Sequence, residues 1–253
     1  MLQNAFSSSN IVLILLSIPA YMFFFSFRGY AQAWTAKRLG DDTPALSGFL
    51  TLNPLRHINI IGFICLIFCG IGFGKVIPTQ SQNYKHIKRD TAIQILSGPV
   101  GGLLFAFIAS FLFFLLYYIG SFFDLVYTGG FWPYLNAPWE LLQHMLDIGK
   151  GSVVYTCFLI MLMKMVWIGI ALTVFHLLPL PGFDGYRLIV NFLPYRCARS
   201  LYNIEKYNLF IFVGFIALLY FVPGVYSFFL GKPTQILMEL FTKPFAMLVS
   251  HLM

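Results

Sequence analysis

The stretch Ile58–Gly74, INIIGFICLIFCGIGFG, decides how the chain must be counted through a membrane. It has 17 residues, four of them glycine. A helix needs roughly 20 apolar residues to cross about 30 Å of hydrocarbon, so this segment lies at the bottom of the spanning range. If it crosses, its basic flanks Arg56 and Lys75 face opposite sides. If it dips in and returns, they share one side.

The rest of the chain sets the context for that choice. Of 253 residues, 59% are hydrophobic, 19% aromatic and only 10% charged, with a mean hydropathy of +0.80. Soluble domains carry about a quarter charged residues, so a water-soluble globule is excluded and the chain belongs in a lipid bilayer. With charges as boundaries, spans are expected over 11–38, 92–123, 153–178 and 208–230. The first is expected to stay as a membrane helix, because no Lys or Arg precedes Arg28 and no cleavage-site pattern follows a short apolar run.

Loop charge decides the ambiguous segment. Lys37–Arg56 carries three Lys/Arg, Lys75–Arg89 four and Arg187–Lys206 four, against one in Gly120–Lys150 and two in Gly231–Met253. Cytoplasmic loops collect Lys and Arg, and the three basic loops share that side only if 58–74 returns. It is therefore read as re-entrant, packed against helices that satisfy its backbone. The expected fold is an all-α polytopic membrane protein. It is one domain over 1–253, with four transmembrane helices, a re-entrant hairpin and both termini outside. Gly120–Gly149, with Trp132, Tyr134 and Trp139 near Asp124, Glu140 and Asp147, reads as an aromatic belt at the outer interface. The tail 233–253, broken by Pro244, reads as interfacial.

The +7 net charge is spread in short clusters without a nucleic-acid-binding motif, so no nucleic-acid partner is expected. Cys65, Cys69, Cys157 and Cys197 include no CxxC and indicate neither a disulfide framework nor a structural zinc. Two cations, Arg28 and Lys164, fall inside spans, where a charge costs about 2.5 to 3.5 kcal/mol on the mildest scale and normally finds a partner. For Lys164 the readings are a stem reaching for an interface, a pair with a partner subunit, or a polar conduit.

The segment Phe175-His176-Leu177-Leu178-Pro179-Leu180-Pro181-Gly182-Phe183-Asp184-Gly185 resembles the asparagine, proline and Asp-Gly segment of the site-2 protease family, the intramembrane zinc metallopeptidases. Leu39-Gly40-Asp41, Leu52-Asn53-Pro54-Leu55-Arg56-His57-Ile58, Lys75–Pro78, Ser97-Gly98-Pro99 and Glu205-Lys206-Tyr207 follow the order and spacing of its short bacterial branch. The resemblance implies a bacterial cytoplasmic (inner) membrane and Asp184 in the place of the third zinc ligand. It also implies that Leu177, Pro179, Pro181, Phe183 and Gly185 lie in an extended backbone that holds substrate.

The family's other signature is HExxH in the first span, where two His at i and i+4 hold zinc and the Glu takes a proton from the metal-bound water. Counting back from Leu39-Gly40-Asp41 puts that motif at Arg28-Gly29-Tyr30-Ala31-Gln32. Arg28 cannot deprotonate to bind a metal, Gly29 offers no base and Gln32 is a poor zinc ligand. His176 stands for the family's Asn, Asn59 for its Asp and Gly102 for its Asn. No catalytic residue, metal or cofactor is therefore expected. Asn53, His57 and His176 remain as further site candidates, and a rebuilt metal site from His57, His176 and Asp184 would need three ligands and an open position. Instead, the readings for Arg28 are a stem that snorkels to an interface and, favoured over it, a guanidinium that replaces the zinc cation as a bidentate partner of Asp184, with Gln32 bonding one turn further on.

These readings point to a catalytically inactive protease-like protein, a pseudoprotease, that serves as a binding, assembly or structural subunit of a membrane protein complex, with membrane-protein partners. The alternatives are an active intramembrane zinc metallopeptidase with an atypical site, and a transporter or channel component using Arg28, Lys164 and Asp184 as a polar path.

Overall fold

A computed structural model describes residues 8–69, 72–123, 125 and 152–252. The expected aromatic belt around Trp132, Tyr134 and Trp139 lies outside the described residues. Among those described, every regular element is helical and no strand forms. The main helices are α1 (Ser8–Arg38), α2 (Ile60–Cys69), α3 (Ile87–Phe122), α4 (Val153–His176), α5 (Asp184–Phe192), α6 (Tyr195–Glu205), α7 (Asn208–Phe221) and α8 (Lys232–Leu252). The chain is an all-α polytopic membrane protein: α1, α3 and α4 are long and apolar enough to cross a bilayer.

A fourth crossing exists only if α6 and α7, bent by 76°, count as one broken span. The stretch 208–230 comprises α7 and the residues that follow it. Helix α7 has 14 residues, about 21 Å at 1.5 Å per residue, and stops at Val222-Pro223-Gly224. Pro223 has no amide hydrogen to extend the helix and drives Val222 to extended backbone. Gly224 then turns the chain at a φ of 86°. The expected break at Pro244 is corrected, since α8 runs through it.

The chain divides into two compact units. One comprises 1–21, 105–169 and 237–253. Within it Phe107, Phe111 and Phe114 of α3 pack on Phe245 of α8 at ring-centroid distances of 5.5, 5.9 and 6.0 Å. The Ser110 hydroxyl donates to the Phe241 carbonyl at 2.9 Å. The tail thus packs on α3 through aromatic contacts. Lys164 lies in this unit, half-buried between the buried Met163 and Met165. Among the described residues it has no ion-pair partner.

The other unit, 22–104 and 170–236, carries the site. Here α1 ends in a Schellman motif: Gly40 donates to the Lys37 carbonyl, Asp41 to the Ala36 carbonyl, and Gly40 takes the left-handed φ of 105° that the motif demands. The buried Asp41 carboxylate accepts from the Thr43 amide and hydroxyl, the Gln80 amide and the Asn83 side chain. Burial pushes its pKa up, but these donors outweigh burial and hold it below the usual carboxylate value. Leu39-Gly40-Asp41 is therefore a helix stop and a loop staple.

The stretch 58–74 leaves and returns. Ile58 and Gly74 form an antiparallel bridge, and the Lys75 amide donates to the His57 carbonyl at 2.7 Å. Its helix α2 is capped by Asn59, whose side-chain oxygen accepts from the amides of Ile61 and Gly62. A segment whose two ends pair with each other starts and finishes at one place, which is the geometry a re-entrant hairpin requires.

Helices α1 and α3 approach closely along small residues. A methyl group on Gly101 would lie 2.6 Å from the Ala31 Cβ and 3.0 Å from the Phe27 carbonyl oxygen. On Gly102 it would lie 2.5 Å from the Thr173 hydroxyl. An asparagine there, as in the resembling family, has no room in this packing.

Candidate functional site

Arg28 and Gln32 lie one turn apart on α1, so their side chains share a face. Opposite them the chain from α4 into α5 is a run of turns. Phe183 donates to the Leu180 carbonyl at 3.0 Å, closing a β-turn over Pro181 and Gly182, with Gly182 at a φ of 91°. This is the type II arrangement: proline presets the first central residue and glycine takes the positive φ of the second. The expectation of an extended backbone over 177–183 is corrected, because Pro179, Pro181 and Gly182 impose turns: the Leu178 amide bonds back to the Phe175 carbonyl of α4, and the amides of Leu180 and Phe183 bond to the carbonyls of Leu178 and Leu180. Leu177 and Pro179 are exposed, Pro181 half-buried, and Phe183 and Gly185 buried. A Cβ on Gly185 would lie 2.0 Å from the Leu177 carbonyl oxygen, so only glycine lets the turn fold back on α5. That fold puts Asp184 at the first position of α5, where the positive end of the helix dipole favours a carboxylate.

Asp184 is 2% exposed and Arg28 8%. The Arg28 Nη2 donates to Asp184 Oδ2 at 2.6 Å. The other oxygen, Oδ1, accepts from Gln32 Nε2 at 3.2 Å, and the same amide nitrogen lies 3.4 Å from the Ile95 carbonyl oxygen. The structure thus brings Arg28, Gln32 and Asp184 together, but the expected bidentate pair is corrected: Arg28 takes one oxygen and Gln32 the other. The Arg28 Nε is buried without a hydrogen-bond partner among the described residues. Gly98 of α3 makes the arrangement possible, since its Cβ would meet the Gln32 amide nitrogen at 2.4 Å.

His57 and His176 are not drawn into this cluster as donors. The His57 Nε2 bonds the Thr51 carbonyl at 2.7 Å, while its Nδ1 is buried without a partner and sits 2.2 Å from where a Cβ on Gly29 would stand. The imidazole therefore fills the space that a side chain at position 29 would need. Burial lowers the His57 pKa, the Thr51 bond offsets part of this, and the positive charges of Lys75 and Arg28 lower it further. The buried His176 bonds the Leu172 carbonyl through Nδ1 at 2.7 Å and sits against the rings of Phe24, Phe25, Phe175 and Phe183. Asn53 caps the helical turn Pro54–His57 by accepting from the Leu55 amide. Lys164 does not line the site.

A cavity of about 350 Å³ opens beside the ion pair. Arg28, Gln32, His176, Pro181, Phe183 and Asp184 line it. Lys75, Arg187, Asn59 and Asn208 also line it, although the sequence alone singles out neither Lys75 nor Arg187 as a site residue. The signal that could have found them was their position, one directly after the hairpin and one a turn beyond Asp184.

Two curated proteins share most of the chain. It is 27% identical over 191 residues, 75% of its length and 74% of the relative's, to "Putative zinc metalloprotease YwhC" of Bacillus subtilis. It is 26% identical over 211 residues, 81% of its length and 68% of the relative's, to "Putative zinc metalloprotease Rip2" of Mycolicibacterium smegmatis. Its homologues are proteins of the site-2 protease family. No family profile and no solved structure matches the chain.

The zinc in the names of these site-2 protease homologues can be tested against the donor set here. Zinc takes anionic or neutral Cys, His, Asp or Glu donors. Among the described residues no three such side chains cluster, and the sequence contains no HExxH. The one carboxylate at the site already has both oxygens occupied by Arg28 and Gln32. These residues do not fit a zinc ion, and no chemical step through one is derived.

Proposed function

We propose that this site-2 protease homologue does not cut, and that it binds a membrane-protein partner through the cavity beside Asp184 and the exposed Leu177–Pro179 turn. One observation carries the reading. The guanidinium of Arg28 neutralises Asp184 where a metal cation would be needed, and Gln32 completes the carboxylate's hydrogen bonding. Among the described residues, a site closed in this way offers no cluster of three metal ligands. It keeps a cavity and an aromatic wall, the features of a binding site.

The test is photo-crosslinking in native membranes from a benzoylphenylalanine at Val76 or Leu209, both on the cavity wall. The expected result is a discrete adduct with an intact partner protein. A clean absence of protein adducts from both positions, or adducts only with a cleaved fragment, contradicts it. The names of the relatives favour a second reading, an active metallopeptidase with an atypical site. It requires Asp184 to exchange Arg28 for a metal, and metal content decides it.

A further inference from the structure

The cavity has an unbalanced charge. Arg28 and Asp184 cancel, and Asp184 is the only carboxylate among the described lining residues, so Lys75 and Arg187 leave the lining net positive; Glu205, which does not line it, feels the charge of Arg187. Neither has an ion-pair partner among the described residues, the nearest polar contact of Lys75 being the Leu55 carbonyl at 3.5 Å. Asn59 and Asn208 add neutral polar groups to the lining, and the buried Arg28 Nε is an unused donor. The rest of the wall is apolar, chiefly Ile61, Phe73, Phe183, Leu209 and Phe212. The rings of Phe73, Phe183 and Phe212 form a continuous surface, with centroids 5.6 Å apart for Phe73 and Phe212 and 6.1 Å apart for Phe183 and Phe212.

A cationic group beside an aromatic wall, in a chain that lives among lipids, selects one kind of ligand. We propose that the cavity binds an anionic amphiphile, its acyl chain against Phe73, Phe183 and Phe212 and its carboxylate or phosphate head on Lys75 and Arg187. Basic pockets beside membrane helices take anionic lipid head groups for the same electrostatic reason. The apolar wall supplies burial of the acyl chain, and the cations supply selection for the head. The inference rests on the non-catalytic reading only in taking the Arg28–Asp184 pair as the cavity floor.

The test is native mass spectrometry of the full chain in a non-ionic detergent, with oleate, oleoyl lysophosphatidylglycerol and oleoyl lysophosphatidylcholine as probes of equal chain length. The two anionic probes separate a fatty-acid source from a phospholipid source. The expected result is a one-to-one adduct with at least one anionic probe, about tenfold tighter than with the zwitterionic probe. That preference should fall to near unity in Lys75→Gln/Arg187→Gln, and should be reduced in Lys75→Gln alone, an exposed change that leaves the fold in place. Equal binding of all three probes, or a preference unchanged in the variants, overturns the proposal. Zinc measured on the same samples keeps the two ideas apart: selective binding with zinc present sinks the non-catalytic reading and leaves the lipid, and the converse sinks only the lipid.

Discussion

Arg28 is buried against Asp184, so deleting one partner strands the other. Arg28→Leu should destabilise the protein by about 3 to 5 kcal/mol, the usual cost of an uncompensated buried charge. Arg28→Leu/Asp184→Leu should recover most of that loss, because a buried pair replaced by apolar groups is often neutral. Thermal unfolding in detergent of the two single variants and the double variant checks both statements. A single variant as stable as the parent would show that the pair contributes nothing. Gly29 makes a second case at this scale. Gly29→Ala places a methyl 2.2 Å from the His57 Nδ1 and should lower the melting temperature, whereas adding His57→Ala should relieve the clash. No relief would mean that something other than the imidazole fills the space. The pairing of Arg28 with Asp184 was legible in the sequence, because a charge inside a span needs a partner and few carboxylates were available. The single-contact geometry was not, since it depends on how Gln32 threads past Gly98. The contact of His57 with Gly29 depends on how the 58–74 hairpin seats its first residues, which local pattern does not reveal.

Among the elements, the turn Leu180–Phe183 sets the position of Asp184. Gly182→Ala forces an L side chain into a left-handed φ at about 1 to 2 kcal/mol, and it should loosen the turn that presents Asp184. Comparing it with Gly231→Ala, at a glycine without a positive φ, separates backbone strain from loss of helix-end flexibility: only Gly182→Ala should lower stability by that amount. Long apolar runs read well as helices, as α1, α3 and α4 show. Hydropathy alone does not show that α7 stops at Val222, although proline followed by glycine is a stop signal. Ring packing between Phe245 and α3 is a long-range pairing with no local signature.

For the whole molecule, charge placement governs pH response. The His57 pKa is lowered in the fold from 6.5. Above that value the imidazole is neutral in both states and contributes no pH dependence. As pH falls below it, the unfolded chain takes up a proton that the folded chain resists, so stability declines. Melting temperature followed from about pH 7.5 to 5.5 should therefore drop, and His57→Gln should flatten the profile over that range. A flat profile in the parent would contradict the buried, neutral imidazole.

Metal analysis of the purified full chain, alongside Asp184→Asn, decides whether a guanidinium or a metal neutralises Asp184. With Arg28 as the partner, zinc is expected far below one equivalent in the parent and unchanged in the variant. Stoichiometric zinc in the parent, lost on changing Asp184, would show that the metal holds that place instead.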